Sequence, residues 1–352
     1  MSTETMTKPQ TSNDDLIVDI VGLKKHYGET EAVRGIDLKI PRGSIFGFLG
    51  PNGAGKTTTI GCLLTLLKPT AGQGTIAGYD MWDTKNIRQV VSAVFQEQTL
   101  DETLSGEKNL TLHADLYRIP KDIRDERISS LVDMVGLKDR LKDKVLNYSG
   151  GMRRRLEIVR ALLTEPEILF LDEPTIGLDP QSRQNIWDRL IELNKEKGIT
   201  IFITTHLMEE AEYLCEKINI IDLGKIITEG TADELKDSLG KDLITLEVKK
   251  EDMEEANSRV SKLEKVMESK IVGDEIQITT KNGGHMISQV VESMIGNGKR
   301  IEITSLALKK PTLNDVFLFY TGSNLRDDSA DLADRLKIVG RKQFRGRGMM
   351  RR

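Results

Sequence analysis

Short apolar bursts come first along the chain. Leu16-Ile17-Val18-Asp19-Ile20-Val21, Ile36-Asp37-Leu38-Lys39-Ile40 and Ser44-Ile45-Phe46-Gly47-Phe48-Leu49 have strand length and turn residues between them, so they predict three strands. A glycine-rich loop follows. The apolar positions from Lys56 to about Leu67 suit a helix, which Lys68-Pro69-Thr70-Ala71-Gly72 stops. Ser105 to Thr164 is helical in pattern, with Pro120 and Gly136 as breaks. Ile168-Leu169-Phe170-Leu171 and Ile199-Thr200-Ile201-Phe202-Ile203-Thr204 are nearly continuous apolar runs, with a helix-like Pro180 to Lys197 between them. Strands buried on both faces read this way, which predicts an α/β fold around a parallel sheet.

After a short helical stretch from Asp233 to Gly240 the rhythm changes. The pattern reads strand (Leu243–Val248), helix (Glu251–Val266), strands around Ile271 and Ile276, helix (Met286–Ile295), strand (Ile301–Leu306) and helix (Leu313–Tyr320). That succession resembles a split β-α-β module of ferredoxin-like type, and it carries no chemical motif, so its expected job is contact. Residues 1–15 are polar without periodicity. The expected organisation is a mobile arm over 1–15, an α/β domain over 16–235, a small α+β domain over 241–322 and a flexible tail over 323–352.

Composition narrows the setting. A chain of 352 residues with 30% charged and 38% apolar side chains has room for two domains and enough apolar material for a core. No run approaches the roughly 20 apolar residues of a membrane-spanning helix. The start, MSTETMTKPQTSNDD, lacks the basic-then-apolar layout of a secretory signal. Cys62 and Cys215 have no disulfide or zinc spacing, so a reducing cytoplasm is expected. The net charge of −4 hides an asymmetry: Arg335 to Arg352 holds eight Lys/Arg and no acid, leaving the rest at −12. So acidic a body has no electrostatic footprint for nucleic acid, although the tail could touch anionic lipid.

Three segments carry chemistry. Gly50-Pro51-Asn52-Gly53-Ala54-Gly55-Lys56-Thr57-Thr58 fits G-x-x-x-x-G-K-[ST] between a predicted strand and a predicted helix. Glycines let backbone N–H groups close around phosphate at a helix N-terminus; Lys56 then meets the β and γ phosphates and Thr57 holds Mg²⁺. Leu169-Phe170-Leu171-Asp172-Glu173 ends a buried strand in two carboxylates, a costly placement that suits Asp172 to the Mg²⁺ shell and Glu173 to polarising an attacking water. Ser149-Gly150-Gly151 opens an amphipathic helix and offers a second anion site.

With these in order, residues of about 16 to 235 resemble the ABC-type ATPase family. The resemblance implies a P-loop cassette with a RecA-like parallel core, an antiparallel β subdomain and a helical signature subdomain. Val94-Phe95-Gln96 matches the glutamine loop, Tyr148-Ser149-Gly150-Gly151-Met152 the signature, Gly177-Leu178-Asp179-Pro180 the D-loop and Thr205-His206 the switch histidine, while Tyr27 matches the aromatic that stacks on adenine. It further implies that Tyr27, Asn52, Gly53, Ala54, Gly55, Lys56, Thr57 and Thr58 hold ATP in one subunit and Ser149, Gly150, Gly151 and Asp179 meet it from a second. Gln96 would sense Mg²⁺, water and a membrane partner, and His206 would contact the γ-phosphate. A homodimer and a separate permease follow, which places the chain on the cytoplasmic face of the membrane.

Tyr148 to Glu157 and Pro311 to Leu318 match the signature and C-terminal segment of the daunorubicin-resistance-type drug exporters more closely, which implies export of a drug-like or lipid-like substrate. Met152 stands where the wider family prefers glutamine, and Ile176 where a small hydroxyl residue is usual. The competing reading is a soluble ABC ATPase acting on ribosomes or nucleic acid; an importer shares the same hydrolytic machinery. His26, His113 and His285 read as surface or satisfied histidines, and Glu209-Glu210 as first-turn helix residues.

Overall fold

A computed structural model describes residues 15–239, 242–280, 283–295 and 300–321. The first fourteen residues of the arm and the basic tail lie outside the described residues. The chain divides after Thr231 into two units, so the helix that follows belongs to the second unit and not, as the sequence pattern suggests, to the end of the first.

In chain order the first unit contains β1 (Leu16–Tyr27), β2 (Thr30–Pro41), β3 (Ile45–Leu49), α1 (Lys56–Leu63), β4 (Ala71–Ile76), β5 (Tyr79–Asp80), α2 (Thr84–Val90) and β6 (Val91–Val94). Next come α3 (Gly106–Leu116), α4 (Lys121–Met134), α5 (Gly150–Leu162), β7 (Ile168–Asp172), α6 (Pro180–Lys197), β8 (Thr200–Thr205), α7 (Met208–Leu214), β9 (Lys217–Asp222) and β10 (Lys225–Gly230). Two sheets result: an antiparallel one in the order β2-β1-β4-β5, and a six-stranded one in the order β10-β9-β3-β8-β7-β6. In the second sheet every neighbouring pair is parallel except β10 with β9.

Strands β3, β7 and β8 are buried at every position, as apolar runs in a parallel sheet covered on both faces must be. Register places Phe46, Phe202 and Phe170 in one row across them, with ring centroids 5.6 and 5.3 Å apart. Each such side chain contributes on the order of 1.5–3 kcal/mol through burial. α6 spans Pro180 to Lys197 as its punctuation predicts, with Asp179 accepting from the Ser182 N–H at its start and Gly198 in the left-handed region at its end. α1 is shorter than expected: the N–H groups of Leu66 and Leu67 both fold back onto the Gly61 carbonyl, 2.9 Å each, and Thr65 takes a positive φ of 59°.

The second unit contains α8 (Ala232–Ser238), β11 (Asp242–Val248), α9 (Met253–Val260), β12 (Val266–Val272), β13 (Glu275–Thr280), α10 (Gly283–Ile295), β14 (Ile303–Lys309) and α11 (Leu313–Thr321). Its antiparallel sheet runs β12-β13-β11-β14, with α9 and α10 as crossovers, a split β-α-β arrangement. The helix expected over Glu251–Val266 stops at Val260, because Val266 pairs with Thr280 and opens a hairpin that turns at Gly273. The core is aliphatic: Ile244, Leu246, Ile276, Ile278, Met286 and Val290 are completely buried.

Candidate active site

Strands β3, β7 and β8 end side by side, and the loops that leave them bring the candidate residues together. Such carboxyl ends are where open parallel sheets bind ligands. After β3 the chain turns tightly through Gly53 at φ 80° and Gly55 at φ 110°. A Cβ on Gly55 would sit 2.6 Å from the Ala32 carbonyl, so only glycine lets this loop lie against β2. Lys56 is buried, and its ammonium donates to the Gly50 carbonyl at 2.6 Å and the Pro51 carbonyl at 3.3 Å.

The same ammonium pairs with Glu173 Oε1 at 3.2 Å, and His206 Nδ1 lies 2.7 Å from Glu173 Oε2. Burial alone would push the Glu173 carboxyl up, but the His206 hydrogen bond and the Lys56 charge outweigh it and hold it below the usual range. The carboxylate is thus ionised at neutral pH. Its partner moves the other way: the Glu173 hydrogen bond raises the His206 imidazole, with burial opposing. Glu173 also has a positive φ of 51°, a conformation that costs a non-glycine residue about 1–3 kcal/mol. Its N–H donates to the Thr204 carbonyl at 3.0 Å, which fixes that turn to β8.

Beside it, Thr57 donates its hydroxyl to Asp172 Oδ2 at 3.1 Å, while the Thr204 hydroxyl donates to Oδ1. A hydroxyl and a carboxylate converging next to a phosphate-type loop form a hard-oxygen set that fits Mg²⁺. Lys56, Thr57, Asp172, Glu173 and His206, five positions spread over three loops, therefore form one cluster.

Residues 33–176 match the family model described as ABC transporter, and residues 230–321 that of the ATP-binding protein DrrA1-3-like C-terminal domain. The chain is 38% identical over 315 residues to the daunorubicin resistance ATP-binding protein DrrA3 of Streptomyces coeruleorubidus, covering 89% of this chain and 98% of that protein. It is 38% identical over 309 residues to the linearmycin resistance ATP-binding protein LnrL of Bacillus subtilis, covering 87% and 98%. Among solved structures, the dimeric ATP-binding cassette MJ0796 in a post-hydrolysis state bound to ADP and Pi matches with a TM-score of 0.55 and 29% identity, over 61% of this chain and 98% of that one. The chain belongs to the ABC transporter ATP-binding family.

The residues of the ABC motifs differ in exposure. Ser149 and Gly150 are exposed at the start of α5, where the Ser149 hydroxyl accepts from the Met152 N–H at 3.2 Å. Gly151 is buried, and a Cβ there would meet the Ser182 hydroxyl at 2.8 Å. Asn52, Gly53 and Thr57 are exposed, whereas Ala54 is buried and Thr58 half-buried. Asp179 is exposed as the cap of α6, its carboxyl held low by the Ser182 side-chain and backbone hydrogen bonds. Gln96 is exposed and lines a cavity of about 150 Å³ with Gly150, Arg154, Pro174 and Gly177. Tyr27 is half-exposed at the end of the β1–β2 hairpin, with the Lys25 ammonium 4.9 Å from its ring centre.

In the first unit of this ABC ATPase, sequence reasoning missed three buried charges among the described residues. Arg154 and Glu157 on α5 are 7% and 2% exposed and pair at 3.0 Å. Glu210, read from its position as a first-turn residue, is instead 1% exposed and accepts from the Thr175 hydroxyl at 2.7 Å and the Trp187 indole at 3.0 Å. Burial raises its carboxyl pKa, and it ties the helix after the switch histidine to the segments before and after Asp179. The signal that could have found Arg154 and Glu157 is their spacing, three apart on the face that Gly151 and Ile158 also bury.

Proposed function

We propose that this ATPase is the motor subunit of an exporter whose membrane-spanning permease is a separate chain. Two copies pair head to tail, each ATP lying between the Lys56 loop of one copy and Ser149, Gly150 and Gly151 of the other. Thr57 and Asp172, with Gln96, hold Mg²⁺, which neutralises phosphate charge when bound. Glu173 takes the proton of the attacking water as the bond between the β-γ bridging oxygen and the γ-phosphorus breaks, and His206 contacts the γ-phosphate. Tyr27, Asn52, Gly53, Ala54, Gly55 and Thr58 complete the nucleotide contacts, and Asp179 acts across the dimer. The substrate is drug-like or lipid-like, and the motor works on the cytoplasmic face of the membrane, with the basic tail against anionic lipid.

The observation that carries this reading is the Lys56–Glu173–His206 cluster, in which buried Lys56 and half-buried His206 flank buried Glu173 and give an ionised base beside a phosphate loop. The likeness to named resistance ATPases over nearly their whole length favours export over a ribosomal role. The test is a pull-down of tagged Glu173→Gln protein from native membranes in ATP and Mg²⁺, with mass spectrometry and ATPase assay. The expected result is a polytopic membrane protein in the pull-down and a turnover reduced by about 10²–10⁴-fold. Ribosomal proteins or nucleic acid in place of a permease would overturn it.

A further inference from the structure

The Arg154 guanidinium is fully engaged, and almost all of its partners belong to the catalytic loops. It donates to the carbonyls of Asp172 and Glu173 at 3.1 Å each, of Pro174 at 2.7 Å and of Phe95 at 2.5 Å, besides pairing with Glu157. Three of those carbonyls, at 172–174, belong to the base-bearing turn, and the fourth, of Phe95, directly precedes Gln96. Glu157 completes the clamp, its other oxygen accepting from the Thr99 N–H at 3.0 Å in the segment just past Gln96. Both side chains project from α5, whose first residues are the signature glycines.

Arg154 lies five positions after Ser149, about 7.5 Å along a rigid rod. A displacement of the signature must therefore reach Arg154. The guanidinium cannot let go without leaving a buried charge unpaired, so the carbonyls it holds move with it. Three of them belong to a turn already in a strained conformation at Glu173. We propose that Arg154 and Glu157 are positioning residues that couple the two ATP sites. ATP held by the partner's phosphate loop engages Ser149–Gly151 of this copy, and the Arg154–Glu157 clamp transmits that engagement to Glu173 and Gln96 of this copy's own site. The inference rests on the head-to-tail dimer proposed above.

Arg154→Lys keeps the charge but loses the planar fork, and Glu157→Gln keeps the shape and an acceptor but loses the charge. In the full-length protein, three measurements separate a coupling role from packing: fluorescent ATP-analogue binding, the ATP dependence of hydrolysis, and ATP-driven dimerisation of each variant combined with Glu173→Gln. Nucleotide affinity and dimerisation should stay at wild-type values, turnover should fall by about tenfold or more, and the Hill coefficient should drop from about 2 toward 1. Reduced turnover with an unchanged Hill coefficient would overturn the inference, as would a wild-type Hill coefficient of one in a protein that does dimerise. Failure of Glu173→Gln to dimerise in ATP would instead overturn the dimer reading beneath it. If a single substitution does not fold, Arg154→Met with Glu157→Leu removes both charges together and leaves neither unpaired, and the same Hill readout applies.

Discussion

In the N-terminal unit Lys56, Arg154, Glu157, Asp172, Glu173 and Glu210 are all buried, whereas in the C-terminal unit the ion pairs Lys249–Glu302 and Lys250–Asp274 stand in water. The C-terminal interior is mostly Ile, Val, Leu and Met. Desolvating an ion costs several kcal/mol unless partners replace the lost water, so a charge is kept inside only where its exact placement matters. Among the described residues, the first unit gathers six buried charges around its strand ends, whereas the second mainly buries area and keeps one carboxylate, Asp252, inside. The same kind of substitution should therefore have different consequences in the two.

The sharpest break would be Glu157→Ala. It strips Arg154 of its carboxylate partner in a buried site, and about 3–5 kcal/mol of stability should go with it. Denaturant unfolding of the full chain measures this. A loss below about 1 kcal/mol would mean that water reaches Arg154 and that the contrast between the units is not one of buried charge.

Smaller effects belong to the aliphatic side of the comparison. Ile278 on β13 is completely buried in the C-terminal core, and Ile278→Val should cost about 0.5–1.5 kcal/mol, as removal of one methylene does. ATP turnover should not change. A marked drop in turnover would show that the second unit feeds into hydrolysis and does more than bury area.

A titration sharpens the comparison from within the first unit. His113 packs against Tyr117 with ring centres 4.9 Å apart and planes tilted by 42°, and burial, helped by the Arg160 charge, pushes its imidazole down to about 4 from the ordinary 6.5. Between those values the unfolded chain takes up a proton that the native state refuses. Stability should fall as pH drops from about 6.5 to about 4, and this contribution should level off below. The partly hydrated ring keeps the loss below the full linkage value. His113→Gln should flatten that part of the melting-temperature profile; an unchanged slope would assign it to other groups.

What the sequence made legible follows the same division. Lys56, Asp172, Glu173 and His206 can be read because each sits at or just past the end of an apolar strand, inside a contiguous motif. The spacing of Arg154 puts it on the buried face of α5, but its role cannot be read, because its partners at Phe95 and at 172–174 come near only through the fold. Glu210 misleads because an acid in the first turn of a helix reads as a solvated dipole partner, whatever lies above it. In the second unit the succession of elements is legible, but the end of α9 is not, since Ser261 to Lys265 contains neither Gly nor Pro to mark it.

The smallest effect is the one that distance alone would misjudge. Lys249 and Glu302 approach to 2.8 Å, closer than the 3.2 Å of Lys56 and Glu173. Geometry by itself would rank the first pair above the second. Their side chains are 58% and 72% exposed, however, so water already solvates each charge and dissolved ions screen the attraction between them. Ordering two long side chains offsets much of what remains. Lys249→Ala, Glu302→Ala and the double variant should all melt within experimental error of the parent. Raising the salt to about 1 M, where the screening length is about 3 Å, should not separate them. A melting temperature several degrees lower in either single variant, recovered in the double one, would show the C-terminal unit relying on a placed charge after all, and the division between the two units would fail where it was expected to be clearest.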